Sequence, residues 1–219
     1  MPLEFAPILT ILEGPQRRLW DELDSIPAPF VLCGGTAVGL QLGHRSSVDF
    51  DFVANKEFDP DELTATVPFL QGSRQVQKSA NTLTCIVDRG GPVMVSFFGT
   101  PSIEWIESPR VASDNHAQIA SLVDLAAMKA AVVQKRAEAK DYIDLDAIIA
   151  NTEIDLGTAL AAGKLLYGAK FNPELTLKSL SYFGDGTLPS LTEEIRARLT
   201  KAVVAVDLAN LPPIVRSSK

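Results

Sequence analysis

The chain has 219 residues, of which 46% are hydrophobic and 21% charged, a composition that is typical of a globular protein and excludes a disordered one. No apolar run reaches the ~20 residues that span a bilayer. The beginning of the chain, Met1-Pro2-Leu3-Glu4, lacks the basic and apolar regions of a signal peptide. We therefore expect a cytoplasmic protein that does not enter a membrane.

The charge is divided unequally along the chain. Residues 1–123 hold 8 basic and 15 acidic residues, whereas residues 124–219 hold 12 of each. A protein that binds nucleic acid over its whole surface is expected to be basic. Any polynucleotide partner is therefore expected to use a local basic patch in the C-terminal half.

The first hundred residues are rich in strand-like runs. Strands are predicted over 30–33, 48–54, 82–87 and 93–98, the last two as a hairpin, and helices over 12–26, over 36–42 and from Asp59. The alternation over 48–54 predicts Val48, Phe50 and Phe52 on one face of its strand. Cys33 and Cys85 lie within apolar runs, which favours buried thiols in a reducing compartment.

Helical patterns dominate the rest of the chain. Helices are predicted over 119–136, 141–149 and 156–167, then one capped by Asn172-Pro173 and one whose capping box is Ser190 and Glu193. Strands followed by helices indicate an α+β protein. We expect an α/β core over residues 1–115 and a helical region over residues 116–219.

One arrangement in the core indicates chemistry. Gly34-Gly35-Thr36 ends a strand and starts a helix, which allows backbone amides to approach a phosphate. Asp49 and Asp51 follow, two positions apart on one strand, so their side chains share a face. Paired carboxylates of this kind suit Mg²⁺, which takes further ligands from substrate phosphates. Each part alone is common in structural turns and amphipathic strands, but the ordered combination predicts a site for a metal–nucleoside triphosphate.

These motifs resemble those of a known family. Gly34-Gly35-Thr36, residues 43–46 (Gly-His-Arg-Ser) and residues 49–52 (Asp-Phe-Asp-Phe) resemble the first motif of the polymerase-β-like nucleotidyltransferases, and more narrowly of the AbiEii/AbiGii-type toxins of bacterial abortive-infection and toxin–antitoxin systems. Residues 124–129 and 136–145 resemble later motifs of that family.

The resemblance implies a mixed sheet flanked by helices and a helical C-terminal region. It also implies transfer of a nucleoside monophosphate from an NTP, with Mg²⁺ or Mn²⁺, to an acceptor, which in some members is the 3′ end of tRNA. A small-molecule acceptor such as an antibiotic and an antitoxin partner remain open. Arg45 is a candidate either to contact a phosphate or to pair with an aspartate.

Lys129 is the candidate counter-charge to the triphosphate, a role that the resemblance also implies, and Asp141 is included with it as a catalytic candidate. Asp141 and Asp144 share a helix stripe with apolar residues, so their carboxylates need a cation or hydrogen bonds. Lys129, Arg136 and Lys140 are the candidate cations. A structural ion-pair network that joins the helices is the alternative interpretation of the same residues.

One position departs from the family pattern. A third carboxylate is expected on the strand over 93–98, next to the aspartate pair, and Ser96 stands at that position. Because a hydroxyl cannot replace a carboxylate as a base or a strong metal ligand, a catalytically silent nucleotide- or partner-binding module is the rival hypothesis. Asp88, in the hairpin turn, is the next candidate for the third carboxylate.

Overall fold

The computed structural model describes residues 3–217, which divide into two compact units. The sheet unit comprises residues 3–104 and 108–120, and the helical unit comprises residues 105–107 and 121–217. The division at 120/121, rather than at the expected 115/116, follows from a short strand, Gln118–Ile119, which completes the sheet.

The sheet unit contains one mixed sheet of eight strands, which agrees with the predicted α+β class. The strands are β1 (Glu4–Phe5), β2 (Val31–Cys33), β3 (Asp49–Ala54), β4 (Arg74–Ser79), β5 (Thr82–Asp88), β6 (Pro92–Gly99), β7 (Arg110–Ala112) and β8 (Gln118–Ile119). Their order across the sheet is β1-β7-β8-β2-β3-β6-β5-β4. The central strand β3 pairs antiparallel with β2 and parallel with β6.

Aromatic side chains from the middle of the sheet form much of the core of this unit. Phe50, Phe52 and Phe97 are at most 1% exposed, and the rings of Phe52 and Phe97 stack with centroids 5.3 Å apart. Val48 was expected within this strand, on the same face as Phe50 and Phe52, but it precedes β3 and is 46% exposed. Cys33 and Cys85 are buried, and neither forms a disulfide within the described residues.

Three helices of the sheet unit connect its strands: α1 (Gly14–Trp20), α2 (Gly34–Leu42) and α3 (Pro60–Thr66). The predicted helix over 12–26 is shorter in the structure, since α1 ends at Trp20 and a separate 3₁₀ turn covers Leu23–Ser25. Asp59 caps α3 as predicted, because its carboxylate accepts the amide of Asp61 at 2.8 Å.

The helical unit contains α4 (Leu122–Val132), α5 (Ala139–Asn151), α6 (Leu156–Tyr167), α7 (Pro173–Ser179) and α8 (Glu193–Ala205). Asn172 caps α7 as predicted. Two predicted starts are wrong. Helix α4 begins after its cap Ser121 rather than at Ile119, which belongs to β8, and α8 is capped by Thr192, because Leu188–Ser190 forms a 3₁₀ turn instead.

Within residues 3–217, no helix combines the length and the apolar character needed to cross a membrane.

Candidate active site

The turn from β2 into α2 brings Gly34 against Asp51. Cys33, the last residue of β2, is in register with Asp51 of β3. Gly34 has a φ of 71°, in the left-handed region, and a Cβ there would lie 2.8 Å from Oδ2 of Asp51. The glycine is thus required twice, by its backbone conformation and by the space that the carboxylate occupies. The glycine turn and the aspartate strand of the predicted site therefore lie together, and the Asp51 carboxylate is next to the first residue of α2.

Thr36 supports this arrangement from inside the unit. Its side chain is 2% exposed, and its hydroxyl donates to the carbonyl of Asp49 and lies 2.7 Å from the Ser47 hydroxyl. We predicted Thr36 as a nucleotide-binding residue. Its hydroxyl is engaged with the start of β3, so any contact with a phosphate would come from its backbone. Ser47, which sequence reasoning did not single out, is hydrogen-bonded through its hydroxyl to the Thr36 hydroxyl.

Asp49 and Asp51 occupy alternate positions of β3, and both are partly exposed, whereas Phe50 between them is buried. Two carboxylates on one face of a strand are hard oxygen donors of the kind that Mg²⁺ and Mn²⁺ prefer. Because residue 34 is a glycine, the Asp51 carboxylate lies directly against the start of α2, in the space that a side chain at residue 34 would fill. These residues fit a divalent cation that takes the rest of its ligands from phosphates and water.

Ser96 lies where the third carboxylate was sought. Strand β6 runs parallel to β3, with Ser96 in register with Asp51, as predicted. Ser96 is 5% exposed, and its hydroxyl lies 3.4 Å from that of Thr84, its cross-strand neighbour on β5. Thr84 was not predicted, although it lies on the alternating pattern of β5. The position next to Asp51 is therefore occupied by neutral hydroxyl groups.

Asp88 does not supply the missing carboxylate. Its Oδ1 accepts the amides of Gly90 and Gly91 at 2.8 and 3.0 Å, so Asp88 stabilises the hairpin turn between β5 and β6. Among residues 3–217, no group of three or more histidine, cysteine, aspartate or glutamate side chains is placed to hold a metal ion. The site is built on two carboxylates.

Arg45 follows α2, whose C-cap residue Gly43 has a left-handed φ of 67°. The Arg45 guanidinium donates from Nη1 to the carbonyl of Ser46 at 2.9 Å. Arg45 thus lies in the short connection between α2 and β3, next to the strand that carries Asp49 and Asp51.

Lys129 and Asp141, the remaining predicted site residues, belong to the helical unit. The Lys129 ammonium lies 2.8 Å from Oδ1 of Asp141 and 2.6 Å from Oδ2 of Asp144, and Arg136 donates from Nε to Oδ2 of Asp141 at 2.7 Å. Both carboxyl side chains are fully buried, and the Lys129 side chain is 8% exposed. This is the ion-pair network that the sequence left as the alternative interpretation, whereas Lys140 pairs with Glu138 instead.

The network sets the protonation of Asp141. Burial raises the pKa of this carboxyl, but the hydrogen bonds and charges of Arg136 and Lys129 outweigh burial and leave the pKa below its ordinary value. Asp141 is thus held as a carboxylate by two cations. The predicted helix over 119–136 extends too far, because α4 ends at Val132 and Arg136 lies in the connection to α5.

A second buried carboxylate, Asp124, binds a three-residue strap formed by Trp105–Glu107. Asp124 accepts the amides of Ile106 and Glu107 at 2.8 and 3.2 Å and the hydroxyl of its cap Ser121 at 2.6 Å. Burial raises the pKa of Asp124, and these hydrogen bonds reduce the rise without cancelling it. Asp124 lies in a segment that resembles a family motif, but sequence reasoning gave it no structural role.

Comparison with known proteins agrees with the motifs. Residues 18–211 match the family described as nucleotidyl transferase AbiEii toxin, type IV TA system. An uncharacterized protein of Aquifex aeolicus (strain VF5) is 32% identical over 178 residues, which cover 80% of this chain and 84% of that protein.

Two solved structures share the fold. MenT4, a nucleotidyltransferase toxin from Mycobacterium tuberculosis H37Rv, superposes with a TM-score of 0.59 at 16% identity, over 88% of this chain and 84% of that one. A protein from H. pylori that is assigned to the nucleotidyltransferases superposes with a TM-score of 0.50 at 16% identity, over 85% of this chain and 91% of that one. At this identity the two structures support the fold, and the family match covers most of the chain. The chain therefore belongs to the AbiEii nucleotidyl transferase toxin family.

Proposed function

We propose that the chain transfers a nucleoside monophosphate from a metal-bound NTP to an acceptor hydroxyl. The observation that carries this proposal is the contact between the start of α2 and Asp51, where a Cβ on Gly34 would meet the carboxylate. Phosphates bind to amides at a helix start, and the divalent cation that accompanies them binds to carboxylates. The family to which the chain belongs supports the same chemistry.

Each predicted site residue of the sheet unit that the reaction uses has a distinct part in it. Asp49 and Asp51 hold Mg²⁺ or Mn²⁺, and the amides of Gly34 and Gly35 bind phosphate oxygens, with Arg45 as a further cation for the phosphates. When bound, the divalent cation neutralises charge on the phosphates. The acceptor hydroxyl attacks the α-phosphorus and releases its proton to solvent water. A new phosphodiester bond forms, and the bond to the leaving pyrophosphate breaks.

Lys129 and Asp141 enter the proposal with a narrower role. The Lys129 ammonium has two carboxylate partners within 2.8 Å, so its charge is already balanced in the structure. A contact with the triphosphate stays a prediction that competes with this ion pair. The reaction as proposed depends on the sheet unit's residues, and the network maintains the fold of the helical unit.

The acceptor we propose is an RNA hydroxyl, with the 3′ end of tRNA as the first one to examine, in a toxin–antitoxin setting in which an antitoxin would control the activity. The family description supports the toxin setting. A small-molecule acceptor such as an antibiotic would use the same site, and a screen of acceptors separates the two.

A second function, a catalytically silent nucleotide-binding module, is favoured by one observation. Ser96 lies in register with Asp51, where a third carboxylate would take the proton of the acceptor. A site with two carboxylates would still bind a metal–nucleotide. Both functions predict binding of a metal–nucleotide, but only the transferase predicts transfer of a nucleoside monophosphate to an acceptor.

The test is incubation of the pure protein with each α-labelled NTP, Mg²⁺ or Mn²⁺, and total tRNA, with NTP affinity measured in parallel. Label in tRNA that is lost in Asp49→Asn and Asp51→Asn, and kept in the surface variant Asp24→Asn, supports the transferase. Metal-dependent binding of NTP without label in any acceptor supports the silent module. Unchanged metal-dependent affinity in both aspartate variants would refute the site.

A further inference from the structure

The helical unit contains a pocket that the proposed reaction does not use. Its volume is about 350 Å³, and it lies between the connection from α4 to α5, helix α7 and the loop that follows α7. The lining includes apolar side chains, of which Val133 and Leu188 are buried and Leu175 is exposed. A pocket of this size accommodates a small ligand rather than a folded element.

The charged side chains that line the pocket are mostly cationic. Lys135, Arg136 and Lys178 carry positive charges, and Asp185 carries the one negative charge among the lining residues. Arg136 is held by Asp141, but its side chain remains 46% exposed. The side chains of Lys135 and Lys178 are exposed and form no ion pair or hydrogen bond with other residues of the described range 3–217. Two ammonium groups are therefore available to an anion.

An aromatic ring stands beside these cations. Tyr182 lines the pocket and is 59% exposed. A Cβ on Gly184 would collide with the Tyr182 hydroxyl, so the glycine allows the ring to fold back over its own loop. The ring is thereby oriented while much of its surface stays open to a ligand.

The loop that carries Tyr182 is fixed at both ends. Phe183 packs edge-on against Tyr142, with ring centroids 6.4 Å apart. The amide of Thr187 donates to the carbonyl of Ala137 at 3.0 Å, and the Thr187 hydroxyl accepts the amide of Ala139 at 2.8 Å. A pocket with a fixed wall loses little entropy when a ligand binds.

We propose that this pocket binds a nucleotide, with its phosphate on Lys135 and Lys178 and its base stacked on Tyr182. Lysines alone would suit any anion, but an exposed aromatic ring in a pocket that also has apolar lining selects a ligand that is planar as well as anionic. A free mononucleotide and an unpaired nucleotide of an RNA chain share this chemistry. Nucleotide binding in this pocket is additional to the proposed reaction, because none of the lining residues belongs to the Gly34 and Asp51 site.

The test uses the full chain with Asp49→Asn, in EDTA, so that metal-dependent binding at the sheet unit is removed and the outcome does not depend on the proposed function. The probes are AMP, hexa-adenylate RNA, inorganic phosphate and hexaglutamate, and affinity is measured by calorimetry. AMP and the RNA should both bind, and inorganic phosphate should bind more weakly than either.

Tyr182→Ala should weaken AMP and RNA binding about 5- to 150-fold, which corresponds to about 1–3 kcal/mol for base stacking. Tyr182→Phe should retain the affinity. Lys135→Ala with Lys178→Ala should weaken binding by about tenfold. The matched control, Lys164→Ala with Lys170→Ala, removes the same charge at exposed positions elsewhere on the helical unit and should leave the affinity unchanged.

Equal affinity of wild type, Tyr182→Ala and the Lys135/Lys178 variant for AMP and RNA would overturn the proposal. A second pair of results would also overturn it: the Lys135/Lys178 variant loses affinity while Tyr182→Ala keeps it, and hexaglutamate binds as tightly as RNA. The pocket would then be a site for acidic peptides. Tighter binding of the RNA than of AMP identifies an RNA chain as the source of the nucleotide, and tighter binding of AMP than of the RNA identifies a free nucleotide.

Discussion

A methyl group on residue 34 would lie 2.8 Å from Oδ2 of Asp51, on a backbone with a φ of 71°. We therefore expect Gly34→Ala to displace the Asp51 carboxylate as well as strain the backbone. Strain of this kind costs about 1–3 kcal/mol, and we expect an additional loss of metal–NTP affinity of at least about tenfold, on the scale of one hydrogen bond to a charged group. Thermal melts and NTP titrations with Mn²⁺ measure the two effects.

Gly72 provides the matched control for this substitution. Its φ of 76° is similar, but a Cβ there would have no neighbour within 4 Å. Gly72→Ala should therefore lose stability through the backbone alone and keep its affinity for metal–NTP. If the two variants bind metal–NTP equally, the space beside Asp51 has no part in binding.

Ser96 allows the missing carboxylate to be added back. Because Ser96 is buried and in register with Asp51, Ser96→Asp should crowd three carboxylates together. Without metal, one aspartate pKa should rise and the free energy of unfolding should fall. The affinity for Mn²⁺ should increase, because the added carboxylate is a further ligand. A second ion should then be able to bind about 3.5–4 Å from the first, as in two-metal sites.

The uncharged variant Ser96→Asn separates charge from size in this experiment. Calorimetry with Mn²⁺ should give tighter binding for Ser96→Asp than for Ser96→Asn, and the labelled-NTP assay tells whether transfer gains rate. Equal Mn²⁺ affinity in the two variants would mean that the residue 96 side chain does not reach the aspartate pair.

Helices α4 and α5 are joined by the ion pairs of Lys129 with Asp141 and Asp144. Lys129→Met should cost about 3–5 kcal/mol of unfolding free energy, because it leaves buried carboxylates with one cation fewer. Lys164→Met, at an exposed position of α6, should cost far less. Denaturant unfolding measures the difference.

The same variant tests the predicted contact of Lys129 with the triphosphate. If Lys129 binds phosphate, the rise in melting temperature that Mg²⁺–NTP produces should be smaller in Lys129→Met than in wild type. If Lys129 is only a counter-ion to Asp141 and Asp144, the variant should melt at a lower temperature and still gain the full increment from Mg²⁺–NTP.

Elements with a long buried apolar face or a clear capping residue were predictable from the sequence, whereas the exposed strand β4 was not. The paired strands β5 and β6 and the helix α6 have such faces, and their bounds agree with the predicted runs to within a residue or two. Strand β4 was missed because every one of its residues is exposed, so its sequence has no apolar alternation. The start of α4 was placed too early because Ile119 continued the apolar pattern, although Ser121 and Asp124 supplied a capping signal.

For the site, residue types were more informative than element bounds. The need of a buried carboxylate for a cation identified Lys129 and Arg136 as partners of Asp141, although Arg136 is not in the helix to which it was assigned. The register of β6 on β3 confirmed the placement of Ser96. Contacts of Thr36 and Ser47 depend on the fold of the 43–48 connection, which no periodic pattern describes.

At the scale of the whole chain, the pKa of Asp141 predicts how stability changes with acid. Since this pKa is lower in the folded protein than its ordinary value of 3.8, the folded state binds fewer protons than the unfolded state over the pH range between the two values. The stabilisation from Asp141 should therefore be complete above about pH 5 and be lost as the pH falls through the folded pKa.

The melting temperatures of wild type and Asp141→Asn from pH 7 to pH 3 measure this contribution. The gap between the two should be constant at higher pH and narrow below about pH 4. Glu174→Gln, which removes an exposed carboxylate of the same unit that forms no ion pair within residues 3–217, should show no such narrowing. A gap that widens in acid would contradict the sign of the shift.

The strap Trp105–Glu107 has a consequence for dissecting the protein into fragments. The chain passes from the sheet unit to the helical unit at residue 105, returns at 108 and leaves again at 121. A fragment cut at residue 121 would therefore keep Asp124 but lose the Ile106 and Glu107 amides that its carboxylate accepts. No single cleavage separates the two units intact, and a helical fragment made by truncation should need residues 105–107 supplied as a peptide to recover its stability.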